Sequence, residues 1–317
     1  MCSQAFAADL ASFGPAALSS AQGARRIPSP AESRAYCRRL ARSHYENFQV
    51  ASWLLPRALR PHFYHVYAYC RWADDLADET GDRQRSLELL DWWEEQLCEC
   101  YAGRAKHPVF IALRETIAEF AIPQAPFADL LVAFRQDQRQ TRYETFDDLL
   151  GYCRNSANPV GRLVLYLGRS HDEARGRLSD SVCTGLQLAN FWQDVAGDWQ
   201  RGRIYLPMAD CRSFGYNESD FAAGQSTAEF RRLLAFEVDR AERWLRDGLP
   251  LVEQLPGRLR GDVWLFVHGG LKILDRIRAI DYDVWRRRPQ VSRSDQLRLL
   301  AGCLWQFLPR RRRERMP

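Results

Sequence analysis

Residues 186–207 read LQLANFWQDVAGDWQRGRIYLP, and this stretch decides the fold. Gln187, Asn190, Asp194 and Asp198 recur at three- and four-residue steps, a spacing that belongs to a helix and not to a strand. Leu186, Leu188, Ala189, Phe191, Trp192 and Val195 flank that polar row on both sides. A solvated face would sit opposite a single apolar stripe, so this arrangement predicts a polar row lining an internal cavity. Asp194 and Asp198 would lie one above the other, about 6 Å apart along the axis, where like charges repel. Shielding both from water requires a cation. Carboxylate and amide oxygens are hard donors that suit Mg2+, which keeps several waters and is commonly shared between one or two carboxylates and substrate phosphate. The expected substrate carries phosphate.

Residues 67–79, YAYCRWADDLADE, repeat the pattern on the other side of the chain's midpoint. Val66, Tyr67, Ala68, Tyr69, Cys70, Trp72, Ala73, Leu76 and Ala77 surround Arg71, Asp74 and Asp78, with Arg71 one turn before Asp74 on the same face. Downstream of the other pair, Arg201 and Arg203 sit in a loop from which a guanidinium could reach a diphosphate, and Tyr205 could donate to the same oxygens. His44 and Asn47, in SHYENFQVASWLLP, are further substrate-contact candidates, whereas Tyr282 and the run Arg286, Arg287, Arg288 read as a solvated face. Phe48, Tyr67, Phe191 and Trp192 are candidates for an aromatic wall or for plain core.

From Ser33 onward apolar residues keep helical spacing, interrupted by Pro, Gly and short polar clusters. Helices are expected over about 31–46, 50–57, 61–79, 83–103, 108–120, 125–138, 145–155, 158–168, 172–198, 218–247, 250–256, 261–280 and 295–308. Asn158-Pro159 breaks and restarts one of them. Residues 1–30, rich in Ala, Ser and Gly, read as a disordered extension; 31–308 read as one helical domain and 309–317 as a basic tail.

In a chain of 317 residues, 46% hydrophobic content is ample for a core and excludes general disorder. The net charge of +5 is concentrated in Arg310, Arg311, Arg312, Arg313 and Arg315, a run that most often is a solvated end and otherwise suits peripheral attachment to anionic lipid better than to nucleic acid. Cysteines at positions 2, 37, 70, 98, 100, 153, 183, 211 and 303 form no Cys-x-x-Cys pair, so reduced thiols in a cytoplasmic protein are expected. No run of 18 apolar residues predicts a membrane span. Neither a Gly-x-Gly-x-x-Gly after a strand nor a phosphate-binding loop is present, so no NADPH site is expected.

With both acidic stretches and the Arg-Ile-Tyr exit at 203–205 in place, residues 33–290 resemble the squalene/phytoene synthase family of prenyl-diphosphate-using enzymes. The resemblance implies an all-α isoprenoid synthase bundle around a central apolar cavity. It implies Mg2+ ligands at Asp74, Asp78, Asn190, Asp194 and Asp198, and diphosphate-binding or cavity-lining roles for Arg71, Gln187, Arg203, Tyr205 and His44. Ala157, Val160 and Gly161 match small residues that make room for the prenyl chain at the bent helix. Two departures stand out. Gln193 occupies the place where the family commonly has Arg, and Gly269 and Gly270 stand near the place where it often has Tyr. ENFQVASWLLPRALRPH and CRNSANPVGRLVL are similar to the bacterial hopanoid-pathway branch, which implies ionisation of presqualene diphosphate and capture of the rearranged cation by water, with Gln193 a candidate to orient that water. The alternatives are head-to-head coupling of two prenyl diphosphates and a non-catalytic helical assembly factor. A terpene cyclase is disfavoured, because its usual Asn-Asp-x-x-Ser-x-x-x-Glu motif is missing.

Overall fold

Most helix starts are fixed by groups the chain supplies at the right positions. A computed structural model describes residues 4–19, 26–43 and 57–307. In chain order its helices begin with α1 (Gln4–Phe13), α2 (Pro15–Ser19), α3 (Pro30–Ser43), α4 (Arg60–Asp78), α5 (Arg83–Tyr101), α6 (Pro108–Phe120) and α7 (Ala125–Asp137). They continue with α8 (Phe146–Ser156), α9 (Asn158–Leu167), α10 (Glu173–Gln200), α11 (Met208–Ser213), α12 (Glu218–Phe221), α13 (Ala228–Gly248), α14 (Pro250–Gln254), α15 (Gly257–Ala279) and α16 (Arg293–Phe307). The fold is all-α, with no strand among the described residues. Asp82 caps α5 by accepting from the Arg85 amide at 2.6 Å, and Asp172 caps α10 from the Arg175 amide at 2.7 Å. Thr145 and Asp148 form a reciprocal capping box at the start of α8. Pro61, Pro108 and Pro126 stand in the first turn of their helices, where a missing N–H costs nothing.

Contacts group the chain into two units, residues 1–140 with 162–169, and residues 141–161 with 170–317. The core of the first is aromatic. Trp72 stacks on Trp93 at 5.2 Å between ring centroids, and Tyr69 donates its hydroxyl to the Phe127 carbonyl at 2.8 Å. This arrangement buries two indoles and a phenol while giving the phenol the partner it needs. In the second unit, α10 packs along α13 because Gly185 has no side chain: a Cβ there would stand 2.7 Å from Leu245 Cγ. That close approach seats the helix that carries the second acidic pair against α13.

The N-terminal stretch differs from the expected disordered extension. α1 is helical, Phe6 is buried against the edge of Trp72 at 5.5 Å, and Tyr36 donates to Asp9 at 2.7 Å while accepting from the Trp72 indole at 2.8 Å. Phe6, Leu10 and Phe13 lie at helical steps and pack on the first core, a periodicity that the surrounding Ala and Ser disguise. The helix expected over 218–247 is two helices: the first stops at Phe221, and Thr227 caps α13 anew at the Phe230 amide, 3.3 Å away. Met208–Ser213 adds a helix that was not expected. The helix expected over 50–57 falls almost entirely outside the described residues, and the tail 309–317 does so completely. The eight cysteines among the described residues are all unpaired, and no described helix is long and apolar enough to cross a membrane.

Candidate active site

On α4 the first acidic stretch places Asp74 and Asp78 in its last turns, Asp74 half-buried and Asp78 exposed. Arg71 is anchored there by a residue the sequence reading passed over. Its Nε donates to Asp75 Oδ2 at 3.1 Å and its Nη2 to Oδ1, while Nη1 stands 3.3 Å from Asp74 Oδ2. Asp75 is only 4% exposed, so it is a permanent counterion. Burial works against the charge on Arg71, but Asp75 and Asp74 outweigh it and hold the guanidinium protonated. The signal was available: Arg71 and Asp75 are four apart on the helix. Tyr67, one turn earlier, is half-buried, and its hydroxyl is pushed above its ordinary value by burial.

α10 carries the second stretch, with Gln187, Asp194 and Asp198 half-buried and Asn190 exposed. The residues between them are core: Leu188, Phe191, Trp192 and Val195 are all buried, and Trp192 donates to the Glu237 carbonyl at 3.0 Å, which makes it packing and not wall. Burial first, and Asp194 second, push the Asp198 carboxyl up to about 7 against the pull of Arg201 and Arg203. Two carboxylates that cannot comfortably ionise together form the oxygen donor set a hard divalent cation would relieve, so the residues fit Mg2+. Among the described residues no three acidic, His or Cys side chains converge as a metal cluster. Either pair would therefore hold an ion together with water and phosphate oxygens.

The loop after α15 adds what the sequence reading missed. Asp281 and Tyr282 both take left-handed backbone, φ 53° and 59°, and turn the chain back towards α10. Arg288 then reaches Asp194 with both arms of its guanidinium, Nη2 to Oδ2 at 2.8 Å and Nε to Oδ1, while Pro289 accepts from the buried Gln193 amide. Arg288 is exposed, as a solvated face requires, but it is also ion-paired to Asp194. Nothing local in the sequence pairs it with Asp194, 94 residues away. Gln193, expected to orient a water, spends its amide N–H on holding this loop.

The family now follows. A model described as squalene/phytoene synthase matches residues 41–295. The chain belongs to the squalene/phytoene synthase family. It is 32% identical over 268 residues to a phytoene synthase of Arthrospira platensis, covering 80% of this chain and 87% of that one. The 15-cis-phytoene synthase of Synechococcus elongatus is 31% identical over 283 residues, covering 86% and 92%. Among solved structures, the squalene synthase HpnC of Alicyclobacillus acidocaldarius is 48% identical with a TM-score of 0.76, covering 79% of this chain and 94% of that one. A dehydrosqualene synthase in complex with ligand superposes at a TM-score of 0.78 with 27% identity, covering 86% and 96%.

Other expected family positions fall as follows. Asp198, Arg203, Tyr205 and Phe191 line one small pocket, with Tyr205 stacked on Phe191 at 3.8 Å and on Tyr143 at 5.7 Å. Asn190, Gln193 and Gly269 line a separate cleft of about 260 Å3 together with Leu186, Leu265 and Phe266. A side chain at Gly269 would meet nothing within 4 Å, whereas one at Gly270 would stand 2.8 Å from Leu186 Cδ2, so only Gly269 leaves open space. Gly161 makes room for a helix rather than for a ligand: its Cβ would stand 2.4 Å from Ser179 Oγ and 2.5 Å from Cys183 Sγ. Ala157 is buried at the break before α9, and Val160 is 36% exposed. His44, Asn47 and Phe48 lie outside the described residues.

Proposed function

We propose that the protein is a hydroxysqualene synthase. It would ionise presqualene diphosphate by breaking the carbon–oxygen bond to the leaving diphosphate, let the cyclopropylcarbinyl cation rearrange, and capture it with water. The captured water loses a proton, which balances the reaction without a reductant, so no NADPH is required. The observation that carries the reading is the charge around α10. A repelling Asp194–Asp198 pair stands beside Arg288 and Arg203, a combination that suits a metal-bound diphosphate and no neutral ligand. Asp74, Asp78, Asn190, Asp194 and Asp198 would hold Mg2+, which supplies neutralisation of charge growing on the leaving oxygens. Arg71, fixed by Asp75, and Arg288, delivered from its loop, would each supply hydrogen-bonding positive charge to a diphosphate held at its own acidic pair. The carboxylates position cations rather than move protons. The aromatic stack of Phe191, Tyr205 and Tyr143 excludes bulk water beside Asp198, and the open cleft at Gly269 and Asn190 is the place for the water that ends the reaction.

The choice of presqualene diphosphate rests on the 48% identity to a squalene synthase HpnC, which exceeds the 31–32% to phytoene synthases, on Gln193 where the family commonly has Arg, and on Gly269 and Gly270 near the place where it often has Tyr. The phytoene synthase relatives favour a second reading, head-to-head coupling of two prenyl diphosphates. Incubation with Mg2+ and presqualene, farnesyl or geranylgeranyl diphosphate, followed by mass spectrometry, separates the two. Hydroxysqualene from presqualene diphosphate, with farnesyl diphosphate left untouched, is the expected outcome; squalene-type or phytoene-type carbon skeletons from the shorter substrates overturn it. A non-catalytic assembly factor would turn over none. Asp194→Ala should retain less than about a tenth of the wild-type rate while changing stability by no more than about 1 kcal/mol, since relief of the repulsive pair offsets loss of the Arg288 ion pair.

A further inference from the structure

α16 packs its inner face on α15 through polar and small residues. Asp295 is buried and takes hydrogen bonds from Arg276 Nε at 3.0 Å and from Ser292 Oγ at 2.7 Å. Cys303 donates to the Gly261 carbonyl at 3.7 Å, and a Cβ at Gly302 would stand 3.1 Å from the Trp264 ring. The outer face is the reverse of what a soluble surface calls for: Leu297 is 68% exposed, Leu304 65% and Trp305 48%. With Ala301, also exposed, they follow steps of three and four and form one stripe along the helix. Half of the six large apolar side chains exposed among the described residues lie on this one helix.

The charges around the stripe have one sign. At 100° per residue, Arg293 and Arg298 fall on its two flanks, and both are exposed. The only acid of the helix, Asp295, is buried against Arg276 and stands 3.8 Å from Arg298 Nη1, whose side chain stays 78% exposed. Beyond the helix the sequence runs on through Arg310, Arg311, Arg312, Arg313 and Arg315 against a single Glu314. We infer that α16 is a peripheral docking surface for an anionic lipid bilayer: the stripe enters the boundary between headgroups and acyl chains, while the flanking and following arginines bind lipid phosphates. Stable attachment generally needs two signals, and this end of the chain supplies both. Trp305 is suited to the interface, where its ring is apolar and its N–H polar. A second copy of the chain fits less well. Three large side chains are far fewer than the roughly 20–30 residues a side of a stable protein interface, and seven arginines facing their own copies would repel.

The test is flotation of the full chain with vesicles of phosphatidylcholine alone or mixed with phosphatidylglycerol. Wild type should float with the mixed vesicles, stay behind with the neutral ones, and be released by high salt. Leu304→Ser/Trp305→Ser should weaken partitioning about tenfold or more, and replacing Arg310 to Arg313 by Gln should weaken it comparably. Both variants should keep the wild-type circular dichroism and the wild-type rate on detergent-dispersed substrate. Wild type failing to float, the double variant floating like wild type, or light scattering showing that the double variant splits a dimer would each overturn the inference. Flotation reads no turnover, so failure of the catalytic proposal leaves this result standing.

Discussion

Replacing Gln193 by Leu keeps the side-chain volume and removes one hydrogen bond, that from its amide to the Pro289 carbonyl. The buried carbonyl left without its donor costs about 1–3 kcal/mol, and the neighbouring Arg288 loses the tether that holds it at Asp194. Arg288 itself is 52% exposed and Asp194 18%, so their pair is worth only about 1 kcal/mol to stability. Against a departing diphosphate the same guanidinium is worth more. About 2 kcal/mol is reasonable for a charge-assisted contact, or roughly 30-fold in kcat/KM. Arg288→Gln should therefore lower kcat/KM for diphosphate release about 30-fold, and Gln193→Leu about tenfold. If the amide acts by placing the guanidinium, the double variant should be no slower than Arg288→Gln alone, a coupling of about 1.4 kcal/mol. Calorimetric binding of Mg2+-pyrophosphate should follow the same pattern without turnover. Independent effects, multiplying to a loss of about 300-fold, would refute the positioning role.

Asp262 is 3% exposed, neither of its oxygens accepts a hydrogen bond, and burial pushes its carboxyl up to about 7 despite Arg258. A raised folded value means that stability present below the ordinary carboxyl range is lost as pH rises from about 4 towards 7, by up to ~1.4 kcal/mol per pH unit. Asp262→Asn should flatten the urea-unfolding stability profile across that window and be the more stable protein at pH 8; an unchanged slope would contradict the assignment. Gly161→Ala should cost about 2–3 kcal/mol by forcing Ser179 and Cys183 aside, and Ser179→Ala with Cys183→Ala should recover part of it in thermal melts. Gly269→Phe should fold normally, because a Cβ there meets nothing within 4 Å and the cleft of about 260 Å3 can take the ring, yet change the product ratio by filling that cleft over Asn190; a melt depressed as far as that of Gly270→Ala would show the space is not open.

The helices were readable because their periods and their caps agree. Asp172, Thr145 and Asp82 each stand where a polar run gives way to an apolar period, and the structure starts a helix at each, whereas the new start at Thr227 was hidden inside one continuous period. α1 was not readable, because its three core contacts, Phe6, Leu10 and Phe13, are diluted by Ala and Ser that carry no period of their own. The acidic pairs were legible as helix-face motifs, since four-residue spacing is a local property. Their counterions were legible only in part. Asp75 was within reach of the same rule, one turn from Arg71, but was overshadowed by Asp74 and Asp78. Arg288 obeys no local rule: its place depends on two left-handed residues, Asp281 and Tyr282, and on an amide at Gln193.

The two acidic stretches also balance their charge differently. On α4 the guanidinium is built in, since Arg71 is locked to a nearly buried Asp75, and leaving that carboxylate unpaired would cost several kcal/mol. Arg71 therefore cannot leave, and it presents fixed positive charge beside Asp74. On α10 the guanidinium arrives from a loop, is half-exposed, and grips Asp194, while Asp198 has the exposed Arg201 Nη1 at 3.5 Å and burial still pushes its carboxyl up to about 7. Exposed guanidiniums do not offset the burial and mutual repulsion of the two carboxylates, so this pair gains from further positive charge and has counterions that can be exchanged at low cost. An arrangement that only stabilised the fold would have buried a partner for Asp198, as α4 does for Arg71. That α10 instead leaves Asp198 under-neutralised beside a movable arginine is what a site for a transient, multiply charged ligand requires.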